Sequence, residues 1–180
     1  MGGLRKFIPL GLAVTLLCGL MYFVEQQNLR MNANDPQIQF AQDIANSLAQ
    51  GTPADTIIPP SRIDMGKSLA VFIMIFDANK KLTISTGEIG GKVPELPVGV
   101  FDTVSQKQEV RFTWQPQAGV RSAAVVEKYK NGYVLVGRSL KEVEIRENKL
   151  LWQVFFGWAA TMVVVFIAKL FVLRTSKKRA

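Results

Sequence analysis

The sequence contains no histidine and a single cysteine. Without an imidazole there is no base poised near neutrality, no serine or cysteine triad of the usual kind, and no His-ligated metal. A lone cysteine excludes an intrachain disulfide. Cys18 also lies inside an apolar run; the stretch Thr15-Leu16-Leu17-Cys18-Gly19 has the outline of a lipobox, but leucine precedes the cysteine where a small residue is wanted. A P-loop, a GxSxG elbow and a carboxylate pair at catalytic spacing are absent as well. The expectation is a protein that is not an enzyme and carries neither metal nor cofactor.

What the chain does have is a basic excess, +8 over 180 residues, in an unusual place. All 14 acidic residues lie between Glu25 and Glu147, and fifteen of the 22 basic residues lie between Arg30 and Lys149, so residues 25–149 are almost neutral. The other seven are Arg5, Lys6, Lys169, Arg174, Lys177, Lys178 and Arg179, all at the two ends. A nucleic-acid-binding domain concentrates charge on its folded surface. Charge flanking apolar segments instead sets membrane orientation, with the basic side inside. No nucleic-acid partner is expected.

Two such segments exist. Phe7 to Val24 runs 18 residues without a charge, close to the ~20 that cross a bilayer core. Leu20 to Val24 offers no small-x-small cleavage site, so the segment reads as an uncleaved anchor rather than a signal peptide. Leu150 to Leu173 is the second, with Lys169 as its only charge. That lysine stands one turn from the end, where its stem can carry the ammonium to the interface. Trp152 and Trp158 are expected at the outer boundary, and Gly157, Ala160 and Thr161 offer small residues for close approach to the first span or a second copy. The resulting plan is a cytoplasmic N-terminus (1–6), a transmembrane helix (7–24), an extracytoplasmic domain (25–149), a second transmembrane helix (150–173) and a basic cytoplasmic tail (174–180). This describes a two-pass protein of the cell (inner) membrane with both termini cytoplasmic and the lipid bilayer as its first partner.

The segment between reads as α+β. Asp35-Pro36 opens a helix carrying Ile38, Ala41, Ala45 and Leu48 at helical spacing, and Gly51 stops it. Leu69 to Phe76 is an apolar run too short to span, hence a strand covered on both faces. Asp77-Ala78-Asn79-Lys80 turns the chain into the alternating strand Leu82–Thr86. Residues Gly87 to Gly99 form a loop, and a short helix follows near Val100–Gln106. Alternation then predicts strands over Val110–Gln115, Val120–Tyr129 and Tyr133–Ser139, the last two joined by Asn131-Gly132 as a two-residue type I′ turn. From Leu140 to Trp152 no Gly or Pro interrupts an exit helix leading into the second span.

This arrangement resembles the extracytoplasmic PAS-like (Cache) sensor domains of bacterial sensor histidine kinases over roughly residues 35–150. The wording is similar at Val71-Phe72-Ile73-Met74-Ile75-Phe76-Asp77-Ala78-Asn79-Lys80 and at Gly132-Tyr133-Val134-Leu135-Val136-Gly137-Arg138-Ser139-Leu140-Lys141-Glu142-Val143-Glu144. The resemblance implies a five-stranded antiparallel sheet with a long N-terminal helix, flanked by two transmembrane helices. Only seven residues follow Leu173, so no HAMP, kinase, cyclase or chemotaxis module is expected. The chain then reads as a small two-span bacterial membrane protein acting as a non-enzymatic sensor or binding module, through a membrane-protein partner or as a homodimer. The rival reading is an accessory or structural subunit docking on a larger envelope complex without a small-molecule ligand.

For a ligand, three residues stand out. With Asn131-Gly132 as the turn, counting by twos puts Arg121, Val125, Val134, Val136 and Arg138 on one largely apolar face. Two guanidiniums there can grip a small anionic ligand. The competing expectation is that Glu127 neutralises Arg138 diagonally across the strands. Trp114 either caps a pocket or fills the core. Asp64 and Asp77 beside loops are expected to shape turns rather than hold a cation.

Overall fold

The computed structural model describes residues 2–33 and 35–177. Lys178 and Arg179 of the expected basic tail lie outside them, as does Asn34, which precedes the Asp35-Pro36 helix start. The chain divides into two compact units, one made of residues 1–29 with 145–180 and the other of residues 30–144.

The first unit pairs the first helix, α1 (Gly2–Asn32), with the last, α5 (Lys141–Lys177). At 31 and 37 residues they are about 46 and 55 Å long at ~1.5 Å per residue. Both helices are long and apolar enough to span a membrane. The indole N–H of Trp158 donates to Thr15 Oγ at 3.0 Å, and that hydroxyl donates to the Gly11 carbonyl at 2.9 Å. Trp158 therefore stands level with the middle of the first apolar stretch rather than at its boundary, and Thr15 satisfies a donor that hydrocarbon would leave unpaired. Met162 packs 3.9 Å from the position a Gly11 side chain would take. Gly157, expected to admit a close neighbour, has none within 4 Å.

The second unit is the α+β domain. Its five-stranded antiparallel sheet has the order β3-β2-β7-β6-β5, with β2 (Phe72–Asp77), β3 (Leu82–Ser85), β5 (Glu109–Gln117), β6 (Val120–Tyr129) and β7 (Gly132–Ser139). Helix α2 (Asp35–Ala49) covers one face. Ala41, Ile44 and Ala45 pack there on Ile75, Val125, Val134 and Val136, joined by Ile58 beyond the short helix α3 (Ala54–Ile57). A Schellman cap ends α2: Thr52 N–H reaches the Ser47 carbonyl, Gly51 N–H reaches that of Leu48, and Gly51 takes the required left-handed φ of 91°. The other face packs Phe72, Met74, Phe76, Trp114, Ala124, Val126, Tyr133 and Leu135 against Phe101 and Val104 of α4 (Val98–Lys107). Alternation along each strand thus feeds two separate cores.

The structure differs from the sequence expectation at three places. The run from Leu69 enters the sheet only at Phe72, and Leu69 is 40% exposed. The loop 87–99 begins with a two-residue strand, β4 (Gly87–Glu88), which pairs in parallel with β1 (Ile63–Asp64). The hairpin is also shifted. Tyr129 pairs with Gly132, so the turn residues are Lys130 and Asn131, and neither has positive φ. The type I′ turn on Asn131-Gly132 does not form. Gly132 is needed for space instead: it pairs with Asp77 on its other side, and an added Cβ would lie 2.0 Å from the Phe76 carbonyl oxygen.

Candidate ligand groove at the hairpin end

A two-residue slip preserves parity, so Arg121, Val125, Val134, Val136 and Arg138 do share the α2 side of the sheet, as alternation requires. Both guanidiniums are engaged within the domain. Arg121 Nη1 lies 2.6 Å from Glu144 Oε1, fastening the start of β6 to the first turn of α5. Arg138 Nε donates to the Leu69 carbonyl at 3.0 Å. An anion gripping both would displace Glu144 and that carbonyl. Trp114 lies on the opposite face, 4% exposed, with its ring 6.2 Å from that of Phe72. The three residues therefore do not converge. Asp64 and Asp77 accept local backbone N–H groups, Gly66 to Asp64 and both Asn79 and Lys81 to Asp77, and act as turn formers.

The expected diagonal between Glu127 and Arg138 is absent because of the slip. Arg138 faces Ala123, whereas Glu127 faces Val134 on one side and Glu109 on the other. Glu127 belongs to a different place, a groove of about 550 Å³ between the second half of α2 and the β6–β7 hairpin. From α2 come Gln42, Ala45, Asn46 and Ala49, spaced i, i+3, i+4 and i+7 along one side of the helix, with Ala45 buried and the other three exposed. The hairpin contributes Glu127 to Lys130, and Gln108 closes the side.

Gln108 is held firmly. Its backbone adopts a left-handed φ of 69°, capping α4 through an N–H bond to the Val104 carbonyl, and its side chain donates to the Lys128 carbonyl at 2.7 Å. Glu109, next in sequence, has both oxygens occupied: one pairs with Arg111, and the other accepts from Gln42 Nε2 at 3.1 Å. Glu127 differs. Its Oε2 is buried without a hydrogen-bond partner. Burial, and then the charge of Glu109 opposite, push its carboxyl above the ordinary range, and a hydrogen bond from the Gln108 side chain offsets part of this. Tyr129 is also pushed up, by burial first and by Asp77 second.

The groove therefore has polar walls from Gln42, Asn46 and Gln108, a small apolar floor at Ala45 and Ala49, and beside them a buried carboxylate oxygen without a hydrogen-bond partner. No cluster of metal-ligating side chains occurs among the described residues. The sequence carried one sign of this site. Glu127 interrupts the apolar series Ala123, Val125, Tyr129 on the inward side of β6. Gln42, Asn46 and Gln108 carried none, because their meeting depends on how α2 and α4 dock. No protein family, no curated protein and no solved structure matches the chain.

Proposed function

We propose that this chain is a membrane-anchored binding module whose sheet domain is extracytoplasmic and takes a small ligand in the groove between α2 and the β6–β7 hairpin. The observation that carries the reading is the buried Glu127 oxygen, which has no partner in a groove whose Gln42 and Gln108 side chains are held in place. A buried acceptor left unpaired is costly in a folded domain, and a bound donor removes that cost. The absence of nucleophile–base motifs supports binding without chemistry.

The same reading gives the domain a way to report occupancy. Helix α2 follows α1 directly in sequence, and its far half forms one wall of the groove. A ligand that draws α2 toward the hairpin loads the helix that continues from the first span. Output then requires a partner in the membrane, another protein or a second copy, in the manner of the PAS-like (Cache) receptors the chain resembles. The docking-subunit reading draws on the filled cores of both sheet faces and on Phe40, 51% exposed on α2.

Hydrogen exchange on the full chain in mild detergent, with and without a pooled extract of small metabolites, separates the two. The binding reading expects slower exchange at residues 42–49 and 127–132. Unchanged exchange there, with protection around Phe40 when membrane extract is added, favours docking.

A further inference from the structure

Resting on the reading of the groove as a ligand site, we infer that its ligand carries a protonated amine, with the ammonium donating to the Glu127 carboxylate and to amide oxygens of the walls. Three features narrow the class. The vacant acceptor belongs to a carboxylate, which takes a charged donor in preference to a neutral one. Glu109 adds a second negative charge directly across the strands, and Arg111 and Gln42 already hold both of its oxygens, so its field acts on the ligand while its atoms stay in place. Finally, Gln42, Asn46 and Gln108 line the groove beside Ala45 and Ala49, so an ammonium can find amide oxygens for its remaining donors and a short alkyl chain can lie on methyl groups.

The charges facing Glu127 from its surroundings are few. From β5 come Glu109 and, beyond it, Arg111; from the hairpin come Lys128 and Lys130; the α2 residues in the lining are uncharged. Lys128 alternates to the other face of the sheet, next to Tyr133, and its backbone is tied to Gln108 twice, its N–H donating to the Gln108 carbonyl and its own carbonyl accepting from the Gln108 side chain. Lys130 is exposed at the turn. It opposes a bare cation only weakly through solvent, and it offers a counter-charge to a carboxylate on the same ligand. An alkylamine and an amino acid thus share the ammonium chemistry and differ in their use of Lys130.

Four-carbon probes that differ only at their ends test the inference: 1,4-diaminobutane, 4-aminobutyrate, 1,4-butanediol and succinate, titrated calorimetrically into the full chain in nonionic detergent at physiological salt. The two amines bind, the diol and succinate do not, and Glu127→Gln weakens the amines about 10- to 100-fold, the loss of one charge-assisted hydrogen bond. Lys130→Ala weakens 4-aminobutyrate alone if the amino acid is the better fit, and neither amine if it is not. Glu127→Gln removes a like-charge pair, so it melts no lower than wild type and its loss of binding is not a loss of fold. Amine binding also strengthens as pH rises through the raised pKa of Glu127. Equal amine affinity in wild type and Glu127→Gln overturns the inference. Binding of succinate or the diol that Asn46→Trp abolishes overturns the ligand class and leaves the groove as a binding site. Failure of every probe and of a pooled metabolite extract to bind overturns both.

Discussion

Gly132→Ala is the sharpest perturbation this domain offers, because two physical effects predict opposite signs. At a strand position with ordinary backbone angles, alanine for glycine stabilises by about 0.4–1 kcal/mol, since the unfolded chain loses freedom. Gly132 has no positive φ, so this gain applies. Against it stands the steric demand of β2, where the added Cβ would lie 2.0 Å from the Phe76 oxygen and 3.0 Å from the carbonyl carbons of Phe76 and Asp77. Contacts under ~3.0 Å do not persist, so β7 must withdraw from β2 by roughly 1 Å at this pair, a strain of the overpacking kind that costs about 1–3 kcal/mol. Loosening one or two ladder hydrogen bonds adds about 1 kcal/mol each. The steric side wins, and the net destabilisation is about 2–4 kcal/mol. Hydrogen exchange of the slowest amides in β6 and β7, measured on the full chain in detergent, should accelerate about 30- to 1,000-fold. Unchanged or slower exchange refutes the close approach of Gly132 to β2.

Other perturbations follow from single side chains. Gln37 is wholly buried in the first turn of α2 with both amide atoms unpartnered, so Gln37→Leu should stabilise the domain by about 1–2 kcal/mol in chemical denaturation; a loss of stability would mean the amide is paired. Arg121→Ala breaks an ion pair that is nearly half exposed on both sides, so it should cost about 0.2–1 kcal/mol and leave amine affinity unchanged. A fall in affinity would return the ligand to the arginine face. Glu127 holds its proton more tightly folded than unfolded, so its contribution to stability is full below the ordinary glutamate range and is lost as pH rises through the raised value. The melting-temperature difference between Glu127→Gln and wild type should therefore grow over that window, and parallel curves would contradict the burial of the carboxyl.

Much of the domain was legible because period decides face. Val110, Phe112 and Trp114, and likewise Val134 and Val136, alternate with residues of the other side, and that alternation set strands and faces, while the Asn131-Gly132 signal joined β6 to β7. The slip at the hairpin was not legible, because Asn131-Gly132 satisfies the local rule for a type I′ turn while the force on Gly132 comes from Phe76, more than fifty residues earlier. Strands β1 and β4 span two residues each, too short for any period to show. The groove was partly legible. A glutamate interrupts the apolar side of β6, but its cross-strand neighbours shift by two residues with the hairpin, and the amides around it come from segments that only the tertiary fold brings together.

Native mass spectrometry of the full chain, released from mild detergent after incubation with a pooled metabolite extract, reads occupancy of the groove itself. Wild type should carry a small-molecule adduct that disappears in Asn46→Trp, where an indole would fill the groove beside Glu127. Only bare protein mass on wild type, or an adduct equally abundant in Asn46→Trp, would contradict ligand binding in the groove.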